Sequence, residues 1–160
     1  MKAFVVDVNV PIVANGRKTH ADLDCQNASV NALLEIVQTG MLVLDDQMQI
    51  LDQYREYLNP SGQPGVGDAF MQWVWENQAV IERCEQVSLT VSANGFVEFP
   101  DDPTLNQFDF ADRIYVAAAK ASKNKPEVLN AVDSDWWEHR DALAQNGIRV
   151  SFLCPQHMES

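Results

Sequence analysis

Cysteine is scarce in this chain: Cys25, Cys84 and Cys154 are the only three, far apart and in no CxxC pair. That usage indicates neither a disulfide framework nor a zinc site, and a reducing cytoplasm fits it best. Basic residues are also few. Eleven Lys and Arg stand against 23 Asp and Glu, for a formal net charge of −12 and a pI near 4.4. This argues against broad attraction to nucleic acid or an anionic membrane, because phosphate binding normally rests on a basic surface. Any contact with nucleic acid must therefore be local. No apolar run approaches membrane-spanning length, and no basic stretch leads into an apolar one at the start. The expectation is a soluble, cytoplasmic chain that is not exported and has no membrane partner. The three histidines, His20, His139 and His157, share no spacing and receive no catalytic role. Internal repeats and low-complexity segments are lacking too.

What is present is an ordinary globular composition, 46% hydrophobic and 21% charged, in 160 residues. That is enough for one domain with a sizeable core. Strand and helix signals alternate along it. Ala3–Val8 reads as a buried strand, and Ala21–Thr39 as a helix, with Leu23, Leu33, Leu34 and Val37 at helical spacing and Gly40 as its stop. MLVL (41–44) is a second strand and Asp46–Leu58 a helix, ended by an Asn-Pro-Ser-Gly-Gln-Pro-Gly loop. A further helix is expected from Asp68 to about Arg83, and a hairpin from VSLTV and GFVEF around Ala-Asn-Gly. Asp109–Ser122 reads as an Ala-rich helix, Val128–Val132 as a strand, Asp135–Gln145 as a helix and Ile148–Leu153 as a last strand.

This alternation predicts an α/β fold: a three-layer α/β/α sandwich around a central parallel sheet with right-handed crossovers. Ligands in such sheets bind beyond the carboxyl ends of the strands. Asp7 closes the first strand, and VLNAVDSDWW (128–137) repeats the design with Asp133 and Asp135. Asp112, in the first turn of a helix leaving the same edge, completes a set of four carboxylates brought together by topology. Each alone has an ordinary structural explanation. Asp135 with Glu138 fits a capping box, Asp109 and Asp112 suit a helix amino end, and Asp7 and Asn9 can each bond their own turn. Together they change the balance. Clustered carboxylates raise one another's pKa unless a cation sits among them, and oxygen ligands without paired His or Cys select Mg2+ or Mn2+.

The motifs that carry these acids resemble those of PIN-domain ribonucleases. VVDVNVPIVAN (5–15) is similar to that family's opening hydrophobic-Asp-x-Asn-Val motif, FADRIYVAAAKAS (110–122) to its Asp-led, Ala-rich helix, and NAVDSDWW (130–137) to its Asp-x-Asp-aromatic motif. Their order and spacing match over the chain outside 59–105. The resemblance implies a small nuclease fold in which Asp7, Asp112, Asp133 and Asp135 hold one or two divalent cations, with Asn9 in support. It also implies cleavage of single-stranded RNA by metal-activated water, with a second cation near ~4 Å stabilising the leaving oxygen. A role as toxin or defence effector, restrained by an inhibitory protein partner, and self-association into a homo-oligomer belong to the same expectation. One position departs from the family. Its second helix carries a glutamate where ILDQYREYL (50–58) has Gln53, and Asp52 is the neighbour that could substitute, with Glu56 nearly a turn later. The segment 59–105, expected as an inserted helix and hairpin in one domain spanning 1–160, is longer than the family's minimum.

Arg17, Lys18 and Arg113 are the phosphate-binding candidates at the acid-bearing edge. Lys120, Lys123 and Lys125 form the densest basic run but close the helix at its far end, where they suit its dipole. Trp73 and Trp75 read as core or interface more readily than as a base-stacking platform, and one of Trp136 and Trp137 should be core. A non-catalytic PIN-like interaction module is the second reading. A haloacid-dehalogenase-type phosphatase is the third, weakened by Asn9 at the position where that family needs an acid.

Overall fold

The computed structural model describes residues 1–17 and 21–158. Five parallel strands form one sheet in the order β3-β2-β1-β6-β7: β1 Ala3–Val6, β2 Met41–Asp45, β3 Cys84–Val87, β6 Glu127–Asn130 and β7 Arg149–Phe152. Helices α1 Asn9–Ala14, α2 Leu23–Thr39, α3 Gln49–Tyr57 and α4 Val66–Asn77 lie along the crossovers that step from β1 to β2 to β3. Helices α5 Arg113–Ala121, α6 Ser134–Glu138 and α7 Arg140–Gln145 follow the return to β6 and β7. Right-handed crossovers in opposite directions put the two groups on opposite faces. The result is the expected three-layer α/β/α sandwich.

The sheet is read from its sequence with ease because both faces are covered. All four residues of β1 are buried, as are Leu42, Val43 and Leu44 of β2, the continuous apolar run that a doubly covered parallel strand requires. Val5 pairs with Val128 and Phe4 with Leu42, so β1 is the centre of the sheet. Helix α5 crosses this centre on Ala117, Ala118 and Tyr115, all fully buried. Its alanines let the helix approach the strands closely, and Tyr115 fills the space they leave.

Four expectations shift. The first strand, expected to reach Val8, stops at Val6, and residues 9–14 form the helix α1, where no element was expected. Pro11 is no obstacle there, since the first-turn N–H groups have no helical partner in any case. The helix expected to reach Arg83 ends at Asn77. The strand that follows, Cys84–Val87, is an edge strand of the main sheet paired to β2. The hairpin shrinks to β4 Val91–Ser92 and β5 Gly95–Phe96, with Gly95 at φ +100° in the turn, a conformation that favours glycine. The helix expected over 135–145 breaks at His139 into α6 and α7.

The cysteine reading is corrected outright. Cys25, in the first turn of α2, and Cys154, just beyond β7, form a disulfide across a sequence separation of 129. Distance along the chain concealed a pair that the fold brings together at one sheet edge. Cys84 is free and buried, and burial pushes its thiol up to about 12, so it is an inert core residue. Among the described residues, no helix is long and apolar enough to cross a membrane.

A candidate metal centre at the acidic edge

Three strands end in acids at the same edge, and their fates differ. Asp45 ends β2, and both its oxygens are engaged: Ile50 N donates to Oδ1 at 2.8 Å and Gln49 N to Oδ2 at 3.0 Å. It caps α3 and is satisfied. Asp7 follows β1 and is only half satisfied. Asn9 N donates to its Oδ1 at 3.0 Å, but its Oδ2 is buried with no partner. Asp133, three residues past β6, accepts from Asp135 N at 3.0 Å as the cap of α6.

Asp7, Asp112 and Asp133 each place a carboxylate oxygen within 4.8 Å of the others. Asp112 arrives from the 3-10 turn Phe110–Asp112 that leads into α5, and its Oδ2 is likewise buried and unpartnered. Burial raises Asp7 to about 7. Asn9 N works against that shift, Asp133 adds to it, and the indole of Trp136 counters it without making a well-formed hydrogen bond. Asp112 is pushed up to about 9, first by burial and then by the Asp7 and Asp133 carboxylates. Buried acids with unpartnered oxygens are the donor set expected where a hard cation supplies the missing charge. These residues fit Mg2+ or Mn2+.

The surroundings hold this trio in place. Asn9 Oδ1 accepts from Ala131 N at 2.8 Å, tying α1 to the end of β6, while its Nδ2 is buried without a partner. Tyr54 donates to Val6 O at 2.6 Å and Tyr115 to Gln53 Oε1 at 2.6 Å. Burial, and then the Asp7 charge, keeps both phenols well above their ordinary range, so they remain donors. The trio opens into a cleft of about 470 Å³ that also includes Tyr57, Asp109 and Ser134.

Other expected site residues lie elsewhere. Asp135 turns away: its Oδ2 accepts from Asp109 N at 2.8 Å and its Oδ1 lies 3.4 Å from His139 Nδ1. Asp52 is 66% exposed and faces Arg55 at 3.9 Å, outside the trio. Gln53 is held at both ends of its amide, accepting from Tyr115 and donating to Ala111 O at 3.2 Å. Arg17 donates to Tyr57 O and to the buried Asp68, bracing the α3–α4 loop. Arg113 is buried, and its guanidinium donates to Phe108 O, Leu105 O, Asn106 O and Asn94 while sitting over the Phe99 and Phe110 rings. It anchors the hairpin to α5 and has no donor left for a phosphate. Lys18 lies outside the described residues. Trp136 is the core member of its pair.

Asp109 and Asn130 were missed. Asp109 acts electrostatically on both Asp7 and Asp112, and the sequence signal was available: it precedes Asp112 by one helical turn. Asn130, fully buried at the end of β6, accepts from Asp133 N at 3.3 Å. Nothing in its local pattern marks it. No family model, curated protein or solved structure matches this chain.

Proposed function

We propose that this chain is a metal-dependent nuclease of the PIN-like kind that cleaves single-stranded RNA. The observation that carries the reading is the trio Asp7, Asp112 and Asp133, with two buried, unpartnered oxygens at the carboxyl edge of a parallel sheet. Asp7, Asp112 and Asp133 would hold Mg2+ or Mn2+. When bound, such a cation neutralises the acids, polarises a phosphodiester and acidifies water for attack. Asp7 is oriented by Asn9 N, which occupies one oxygen and leaves the other for the cation. Asp133 is fixed by its cap of α6, and Asp109 adds negative charge at the rim.

Single-stranded substrate suits the rim. Tyr57, which lines the acid cleft, is 50% exposed, and unpaired bases stack on such rings. A toxin or defence role with an inhibitory protein partner, and self-association, complete the proposal. Its cytoplasmic placement rests on the RNA substrate alone, because the Cys25–Cys154 link weighs toward an oxidising compartment.

The second reading, a non-catalytic interaction module, draws support from Gln53, whose amide is engaged away from the trio, and from the commitment of Arg17 and Arg113 to the fold. Mn2+-dependent cleavage of end-labelled single-stranded RNA and DNA by wild type and Asp112→Asn separates the two. The nuclease reading expects RNA cleavage by wild type alone. No cleavage of either strand by wild type, or equal cleavage by the variant, leaves the interaction module.

A further inference from the structure

The opposite edge of the sheet has the opposite charge. A cleft of about 970 Å³ runs along β7 from its amino end to Phe152, beside the closing turn of α5 and along α7, with Lys120, Lys125 and Arg149 at the amino edge and Arg140, which opens α7, towards the other end. These are four of the chain's 11 cations, gathered at one place on a protein of net charge −12. Lys120 and Lys125 suit the dipole of α5, but that accounts for neither arginine, and all four arrive from separate turns. Among the described residues none of the four has an acidic partner. Glu127, the acid in the lining, is engaged by Lys2 at 3.4 Å.

Three of the four donate to a backbone carbonyl, and Lys125 supplies one of those carbonyls. Lys120 donates to Asn146 O at 3.0 Å, Arg149 donates to Lys125 O, and Arg140 donates to Trp137 O at 2.7 Å while its guanidinium lies 4.2 Å from that ring. Lys125 stands at φ +48°, a left-handed conformation uncommon for lysine and held here just before Pro126. The floor between the cations is apolar: Ile148, just before β7, with Val150 and Phe152 on one face of that strand.

The geometry points to a nucleotide site: the cations take a phosphate dianion, and the Val150–Phe152 floor takes a planar base. Four unpaired cations favour a multiply charged group over a single carboxylate, and arginine's planar fork matches phosphate oxygens. The volume is of the size that holds a small ligand. The same chemistry belongs to a free mononucleotide and to the 5′-phosphorylated end of an RNA strand. The site lies along the outer strand β7, shares no lining residue with the cleft of the acid trio, and stands whether or not that trio cuts RNA.

Titration calorimetry in EDTA, which silences any cation at the acid edge, tests this with adenosine 5′-monophosphate, adenosine, inorganic phosphate and a 5′-phosphorylated trinucleotide. Saturable binding of the monophosphate is expected, with adenosine and inorganic phosphate each at least ~10-fold weaker, because each lacks half of the recognised chemistry. Binding should fall at least ~10-fold in Arg140→Gln/Arg149→Gln and stay unchanged in Asp133→Asn. Should the double variant fail to fold, Lys125→Asn removes a charge at a backbone position that asparagine tolerates. It should weaken binding without lowering the melting temperature. Tighter binding of the trinucleotide assigns the site to strand ends, and equal or weaker binding to free nucleotides. No saturable binding, binding insensitive to both variants, binding lost in Asp133→Asn, or tighter binding of an acidic peptide would overturn the assignment.

Discussion

The two ends of this sheet carry like charges in groups, and they treat them in opposite ways. At the carboxyl edge Asp7 is 2% exposed and two acid oxygens lack partners. In the basic cleft Lys120, Lys125 and Arg149 at the amino edge and Arg140 at the start of α7 are all exposed, and all but Lys125 donate to a backbone carbonyl. Burial is the difference that matters. Two like charges about 4 Å apart repel by on the order of 4 kcal/mol at an effective dielectric near 20, and by about 1 kcal/mol in water. The basic edge can therefore exist charged and empty, whereas the acid edge must hold protons or a cation. The acid edge is a site under electrostatic strain, and the basic edge is a site in waiting.

The largest effect that would break this comparison is on catalysis. Asp112→Asn removes a cation ligand, and cleavage of labelled RNA should fall by about two to three orders of magnitude, the scale seen when one charge-stabilising group is lost. In the same variant the melting temperature should no longer rise with Mn2+. Wild type should gain about 2.7 kcal/mol at a cation concentration 100 times its dissociation constant. A variant that keeps the full Mn2+ response would show that the trio is not the cation site.

The acid edge is also where the chain is crosslinked, since Cys25 opens α2 and Cys154 follows β7. Cys154→Ser should cost about 2–4 kcal/mol in urea titration, because the link closes a loop of most of the chain. An unchanged urea midpoint, with thiol counting that finds three free cysteines in wild type, would show that the bond does not form in solution.

The next effect is pH-dependent and its sign is fixed. Asp7 at about 7 and Asp112 at about 9 both stand above the ordinary carboxyl value of 3.8, so the folded state binds more protons than the unfolded chain. Their contribution to stability is full below pH 3.8 and is lost as pH rises through about 7 and then about 9. In EDTA the melting temperature should fall between pH 5 and pH 8, by several degrees. With Mn2+ present the fall should be reduced or reversed, as ionised ligands bind the cation better. A melting temperature in EDTA that rises over this range would contradict the clustered geometry.

Much of this was legible in the residues. Continuous apolar runs such as Ala3–Val6 and Leu42–Leu44 announce strands buried on both faces, and the topology rule then brings Asp7, Asp112 and Asp133 to one edge before any coordinate is known. What escaped has physical reasons. Cys84–Val87 is a strand of four residues with Glu85 and Gln86 in its middle, too short and too polar to show a period. The burial of Arg113 depends on carbonyls of Leu105, Asn106 and Phe108, whose convergence is tertiary, so its charge read as a ligand for phosphate when it is a clasp for loops. Asp135 sits two residues from Asp133 but on a helix turn that aims it at Asp109 N. Spacing predicts which edge a side chain reaches, and not which way it points. The basic cleft escaped for the same reason: Lys120 and Lys125 were visible as a run, but Arg140 and Arg149 join them only in the fold.

The smallest effects sharpen the comparison most, because one kind of substitution can be made at both ends. Asp133→Asn keeps an acceptor for Asp135 N, so the α6 cap survives, while the repulsion on Asp7 and Asp112 is relieved. Lys125→Asn relieves a left-handed lysine, since asparagine enters that conformation more readily. In EDTA and without nucleotide, each variant should melt slightly above wild type, by about 0.5 kcal/mol, the scale of single surface and backbone adjustments. Ligands should then separate them. Mn2+ should raise wild type and Lys125→Asn above Asp133→Asn, while adenosine 5′-monophosphate should raise wild type and Asp133→Asn above Lys125→Asn. That crossed pattern follows only if each edge binds its own class of ligand and neither depends on the other. Melts in which one ligand lifts all three proteins equally would mean that its site lies at neither edge.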